Sequence, residues 1–264
     1  MQGFNESIMQ KLISIDFKAD FGFFRKPDAN NTINLSYNMM HKPALLGILG
    51  AIIGLEGFKE RGKIPQYYEQ LKYVKIGIEP LEHEKGIYQK TTIKYTNTVG
   101  YANNGSNYLT EESTLIKPSY RIYLLLEQEN KFEQKLYDYL KNGKAEYLPY
   151  FGKNEFYAWW SVESFNEHIY ELLFDEGKSK TIKTLFLKPS LLKDGKEDIP
   201  FDIFNFEKQE TPYFYFERLP TGFDEKLMQY EIGNYVFGTY NLKSNIQLDN
   251  LFYLENSDSY VQLF

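Results

Sequence analysis

The chain of 264 residues has no cysteine, only three histidines and only two tryptophans. Without cysteine there is no disulfide framework and no thiolate metal site, and histidines scattered at 41, 83 and 168 leave few ways to assemble a zinc centre. The uncharged run from Pro43 to Leu55 stops at Glu56, well short of the roughly 20 apolar residues a membrane span needs, so no membrane partner is expected. The start, MQGFNESIMQ, has no basic region leading into an apolar run, which predicts no secretory signal and a cytoplasmic location. No P-loop, HExxH or GxSxG is present, and no acidic pair at metal-binding spacing stands out, so neither a cofactor nor a metal is expected.

What is present supports a sizeable core, with 42% hydrophobic residues in a length that suits one large domain or two smaller ones. Tyrosine (23) and phenylalanine (21) are abundant, and they serve sheet packing and base stacking alike. The net charge of −6 argues against coating nucleic acid by bulk electrostatics, but it is unevenly spread. The segment Glu197 to Glu231 holds nine acids and three bases, which accounts for the whole excess. Conversely, Ala29 to Leu55 has one lysine and no acid, and Gly86 to Leu109 has Lys90 and Lys94 and no acid. These two windows are where a polyanion could lie, and the acidic segment is expected to face away from it.

The stretch SYNMMHKPALLGILGAIIGLEG organises the reading. From Pro43 to Leu55 its apolar side chains surround glycines at 47, 50 and 54, the pattern of a buried helix with one flattened face. Pro43 suits the first helical position, and His41 and Lys42 set donors beside the electropositive end, where an anion such as phosphate could sit. Core packing accounts for the helix body; the functional expectation concerns its approach, Ser36 to Lys42.

Taken in order, Lys11 to Phe21 alternates as a strand, and the polar stretch from Pro27 reads as a long loop before the helix. Glu60 to Gln70 reads as a polar connection with a helical turn, and Leu71 to Ile78 as a second strand. Lys85 to Thr110 flanks Asn-Asn-Gly with β-branched and tyrosine residues, predicting a protruding hairpin or mobile loop, with an ordinary sheet hairpin as the alternative. Lys117 to Leu126 is a third strand, Asn130 to Leu140 an amphipathic helix ended by Asn142-Gly143, and Glu155 to Val162 a fourth strand after the loop LPYFGKNEF. The order β-α-β, hairpin, β-α-β predicts an α+β fold with a ferredoxin-like or RRM-like domain over 1–164. The segment SFNEHIYELLF reads as helical, and beyond it the chain reads as a smaller, mostly β part over 165–264, packed closely on the first.

Arg25 after the first strand, the segment from Ser36-Tyr37 through Pro43, Ala44, Leu45, Leu46, Gly47, Leu49, Gly50, Ala51 and Gly54 to Leu55, and the loop Pro149-Tyr150-Phe151-Gly152-Lys153-Asn154-Glu155-Phe156 together resemble the CRISPR-associated RAMP family called "Cas five". HKPALLGILGAIIGL looks most like its type I-B subgroup, and the resemblance covers the first 165 residues. It implies a subunit of the type I interference complex, Cascade, that grips the 5′ handle of CRISPR RNA. Such a subunit caps the filament of backbone subunits and contacts the large subunit, meeting target DNA only indirectly. The family's inserted β-hairpin thumb would fall at about 85–110.

Single-stranded RNA is held by stacking on aromatic or arginine planes and by cations and backbone N–H groups on phosphates. On that chemistry the RNA-binding candidates are Arg25, Ser36, Tyr37, His41, Lys42, Lys90, Lys94, Gly152, Lys153 and Asn154. One branch of the family, in type I-C systems, cuts the CRISPR repeat without metal, and Tyr37, His41 and Lys42 are suitable residue types for such acid–base work. The Lys-His dipeptide associated with that branch is absent, so a non-catalytic RNA-binding subunit is expected, with the endoribonuclease as the alternative.

Overall fold

Alternation in QKLISIDFKA produces the first strand, β1 (Gln10–Ala19), with Ile13, Ile15 and Phe17 fully buried on one side. The computed structural model describes residues 9–27, 32–97, 108–173, 180–189, 191–193, 196–198, 200–206, 211–244 and 246–264. Two short strands, β2 (Phe21–Gly22) and β3 (Phe24–Arg25), precede β4 (Ile33–Tyr37), so part of the expected long loop is strand. The reason is tertiary: β4 pairs in parallel with residues 111–113, a partner no local signal announces.

Helix α1 (Lys42–Ile53) starts behind the His41 cap, carries Pro43 in its first turn and stops at Gly54. Its glycine notch lets a neighbour approach bare backbone, since a Cβ at Gly50 would lie 2.3 Å from the Tyr67 Cβ on α2 (Gln66–Leu71). The second strand begins later than expected, as β5 (Lys75–Leu81), because Leu71 ends α2. The hairpin is formed by β6 (Lys90–Asn97) and β7 (Tyr108–Ile116), while the predicted Asn-Asn-Gly turn lies outside the described residues. β8 (Ser119–Glu127) and α3 (Lys131–Lys141) follow, α3 capped by Asn130, whose side chain accepts from the N–H groups of Phe132 and Glu133. The fourth strand is shorter than expected: β9 (Ala158–Trp160) and then β10 (Asn166–His168) both lie along β1.

The first sheet runs β10-β1-β8-β5, all antiparallel, which is the fourth-first-third-second order of a ferredoxin-like domain. One face packs Ile13, Ile15 and Phe17 into a core shared with Leu45, Leu49 and Ile52 of α1 and Leu136 and Leu140 of α3. The connection between its second and third strands is drawn out into the β6–β7 hairpin, which meets β2, β3 and β4 from the stretch between β1 and α1 in a second sheet, β2-β7-β4-β3, with β6 on β7.

The expected helix SFNEHIYELLF is instead two strands, β10 and β11 (Tyr170–Leu172). Pairing with β1 on one side and with β19 (Leu251–Leu254) on the other overrides the helical spacing. The remainder is β throughout: β12 (Phe186–Leu187) joins β16 (Phe214–Asp224) and β17 (Gln229–Gly238), and β13 (Leu191–Lys193) pairs with β14 (Lys196–Asp198). β15 (Phe201–Phe206) pairs with β18 (Tyr240–Leu242), and β19 with β20 (Ser259–Gln262). Phe252, Leu254, Val261 and Leu263 cover Leu12, Tyr123 and Leu125 on the far face of the first sheet. Leu219, Tyr235 and Phe237 enter the same core as Ile13, Ile15 and Phe17. Among the described residues no helix is long and apolar enough to cross a membrane.

Candidate nucleic-acid interface

The second sheet and the approach to α1 gather most of the residues singled out from sequence. β3 pairs Phe24 with Tyr37 and Arg25 with Ser36. The Ser36 hydroxyl is buried, accepting from Phe24 N–H at 2.9 Å and donating to Tyr37 O at 2.7 Å. Tyr37 is a core residue, edge-on to the His41 ring at 5.3 Å, with Lys26 Nζ 5.0 Å from its ring centre.

His41 closes the helix from inside. Its Nδ1 accepts from Ala44 N–H at 3.3 Å, its ring is wedged among Phe24, Tyr37 and Tyr230, and burial pushes its pKa from the ordinary 6.5 to about 3. The imidazole is therefore neutral at physiological pH. Lys42 turns away from it, donating to the Phe264 backbone oxygen at 2.9 Å, and burial lowers its pKa to about 8. Tyr37 and His41 are thus brought together, but Lys42 does not converge with them on one open position.

His41 and Lys42 form no anion site here; a few residues earlier in the approach, backbone N–H groups are taken up by a carboxylate of the protein itself. Asn38 N–H donates to both Glu217 carboxylate oxygens (3.1 and 3.2 Å) and Met39 N–H donates to one of them (3.1 Å). The Tyr215 hydroxyl adds a bond at 2.7 Å and Lys26 Nζ an ion pair at 3.0 Å, on a Glu217 side chain that is 7% exposed. Two backbone donors and a cation on one carboxylate form a strong charge-assisted site. Its carboxylate comes from the acidic segment, which here turns inward. Sequence reasoning missed Glu217 because about 180 residues separate it from its partners.

On the other edge of the second sheet, Lys90 is exposed as a residue, but its ammonium donates to Ser36 O at 3.4 Å and burial lowers its pKa. Lys94 pairs with Glu111 at 2.7 Å yet stays largely open to solvent. In the 148–156 loop, Gly152 has φ +86 and sits where a Cβ would lie 2.0 Å from Phe23 O, so only glycine fits. Lys153 is drawn onto the hairpin, 2.6 Å from Glu112, 3.3 Å from Glu155 and 3.9 Å from the Tyr95 ring centre. Burial opposes its charge, but the bonds to Glu112 and Tyr95 prevail and raise its pKa. Arg25 and Asn154 are exposed, with no side-chain partner among the described residues. Also among the described residues, no group of three or more His, Asp or Glu is placed to hold a metal ion.

Sequence reasoning also passed over an exposed apolar group on the same loop. Leu148, Tyr150, Tyr157 and Trp159 are 71, 41, 59 and 46% exposed. The available signal, alternation along LPYF and FYAWW, was present, but apolar residues occupy both faces and nothing local says which face is covered.

No protein-family model matches the chain, and no curated protein matches its sequence. Among solved structures the chain is similar to a CRISPR protein from Archaeoglobus fulgidus, at 13% identity and a TM-score of 0.47, covering 96% of this chain and 97% of that one. It is also similar to a chain of a CRISPR RNA-guided surveillance complex, at 10% identity and a TM-score of 0.46, covering 89% and 91%. A third similarity is to a chain of the Type III-B Cmr-beta complex bound to cognate target RNA and AMPPnP, at 14% identity and a TM-score of 0.44, covering 96% and 99%.

Proposed function

We propose that the chain is a non-catalytic, type I-B-like subunit of a CRISPR interference complex, located in the cytoplasm. In this reading it holds the 5′ handle of CRISPR RNA and caps the backbone-subunit filament beside the large subunit. One observation carries the reading. The ferredoxin-like sheet has its second-to-third strand connection extended into the β6–β7 hairpin, whose first strand lies wholly in the acid-free window from Gly86, while β7 carries Glu111 and Glu112. The motifs quoted for the family border that same hairpin: the Gly152 loop docks on it through Lys153, and Ser36 meets it through Lys90.

Within this reading the candidates divide by accessibility. Arg25, Lys94 and Asn154, with the backbone at Gly152, are the groups open to phosphate and base edges, while Lys90 reaches them on releasing Ser36 O. Ser36, Tyr37 and His41 act as scaffold, holding the strand from which those groups project. The burial of His41 supports a non-catalytic role: the residue is 5% exposed, away from any 2′-hydroxyl, and being neutral above about pH 3 it is not the imidazolium acid that a leaving oxygen needs. The test is to purify the chain with its complex and measure the 260/280 nm absorbance ratio, and to incubate the isolated chain with labelled repeat RNA in EDTA. Co-purifying RNA and intact repeat are expected; a clean specific cleavage product overturns the non-catalytic reading in favour of the endoribonuclease.

A further inference from the structure

The loop that sequence analysis singled out carries a rigid aromatic face that the RNA reading does not use. Tyr150 and Tyr157 are antiparallel partners, and continuing that register two residues sets Leu148 opposite Trp159. Directly opposed residues and their second neighbours share a face, so these four side chains project together. Bonds from Phe151 N–H to Phe156 O (2.8 Å) and from Ala158 N–H to Pro149 O (2.9 Å) close the ribbon. On its reverse, Pro149, Phe151, Phe156 and Ala158 are buried, and Phe23 N–H bonds to Phe151 O at 3.0 Å. The face is therefore held in place before any partner arrives. Tyr147 (62% exposed) and Val162 (43%) flank it in sequence.

From this geometry we infer that Leu148, Tyr150, Tyr157 and Trp159, flanked by Tyr147 and Val162, form the docking face for a protein subunit of the effector complex that presents a flat, weakly charged apolar surface. The inference rests on the functional reading above for the identity of that complex. Area supports it. Aromatic side chains offer roughly 150–250 Å² each, so the three rings of the face at their observed exposures present about 300 Å², to which Leu148 adds. That is the size of a functional patch on a monomer, and it suits the centre of an interface burying about 800 Å² per partner. Charge selects protein over RNA. Neither 147–151 nor 156–160 contains a charged residue, and Lys153 at the tip is already engaged by Glu112 and Glu155. A single strand needs cations tracking its phosphates, whereas tyrosine and tryptophan in an uncharged centre are what protein interfaces use.

The experiment co-expresses the chain with the other complex subunits and CRISPR RNA, as wild type, as Tyr157→Ser/Trp159→Ser and as Leu148→Glu. Thermal melting first checks that each variant folds, with Leu148→Glu, the most exposed position, as the safeguard should the double variant be unstable. Native mass spectrometry then measures assembly, and a filter assay measures RNA retention by the isolated chain. At least ten-fold weaker incorporation, with RNA retention unchanged, is expected for both variants. Wild type and folded variants assembling equally overturns the docking face alone. Variants that assemble normally but lose RNA overturn it in favour of a base-stacking platform, and a loss of self-association alone assigns the face to a second copy of the chain. A wild-type chain that enters no such complex retracts the functional reading, and the docking assignment with it.

Discussion

Removing the Glu217 carboxylate is the sharpest test of how the approach to α1 is built. In Glu217→Ala the N–H groups of Asn38 and Met39 and the Tyr215 hydroxyl lose their acceptor, in surroundings where Asn38 is 5% and Met39 0% exposed. A buried donor left without a partner costs about 1–3 kcal/mol, and water entering the vacated space offsets part of the sum, so a loss of about 3 kcal/mol is expected. Glu217→Gln keeps one carbonyl oxygen and should lose roughly half as much. Lys26→Met should cost only about 1 kcal/mol, because the Lys26 side chain is 31% exposed and solvent already screens that ion pair. Urea unfolding followed by far-UV circular dichroism gives all three values. The graded order Ala, Gln, then Lys26→Met is the prediction; an alanine variant as stable as the wild type to within about 0.5 kcal/mol would refute the clasp.

Other consequences are as direct. Gly152→Ala forces a Cβ against the Phe23 carbonyl at a backbone angle of +86°, and should lower stability by more than about 2 kcal/mol, read as a melting shift of several degrees. His41 holds a folded pKa of about 3 against an ordinary 6.5, so between those values the unfolded chain binds a proton that the folded chain refuses. Its contribution is complete above pH 6.5 and is lost as pH falls towards 3, by up to about 4 kcal/mol; His41→Asn should flatten the stability–pH curve in that window, and an unchanged slope would show that His41 titrates normally. Arg25→Ala should weaken RNA binding at every salt concentration tested and reduce the slope of log affinity against log salt by about 0.7, one single-strand phosphate contact, with an unaltered slope removing Arg25 from the interface.

What could be read before the structure was what is encoded locally. Pro43 and the uncharged glycine-bearing run define α1, Asn130 and Asn142 bracket α3, and the alternation of KLISIDF gives β1, because each of these signals acts within a turn or a pleat. What could not be read depends on distant partners. Ile33–Tyr37 is a strand only because β7 lies beside it, and Asn166–Leu172 abandons its helical spacing for edges supplied by β1 and β19. At the candidate site, residue types directed attention to His41 and Lys42, whereas the donors that hold a carboxylate are the backbone N–H groups of Asn38 and Met39, which residue types do not mark. That the carboxylate would come from β16 was not legible either, since the acidic segment carries no mark distinguishing Glu217 from its neighbours. The aromatic face escaped for a similar reason: Tyr150 and Phe151 look alike in sequence, and only packing decides which one reaches solvent.

The central claim, that this chain holds RNA without cutting it, is tested most directly by incubating the isolated protein with end-labelled repeat RNA in EDTA and resolving bound and cleaved species from the same sample. Salt-sensitive retention of full-length RNA is the predicted result. Absence of retention at low salt, or a discrete product that accumulates with time, would contradict it.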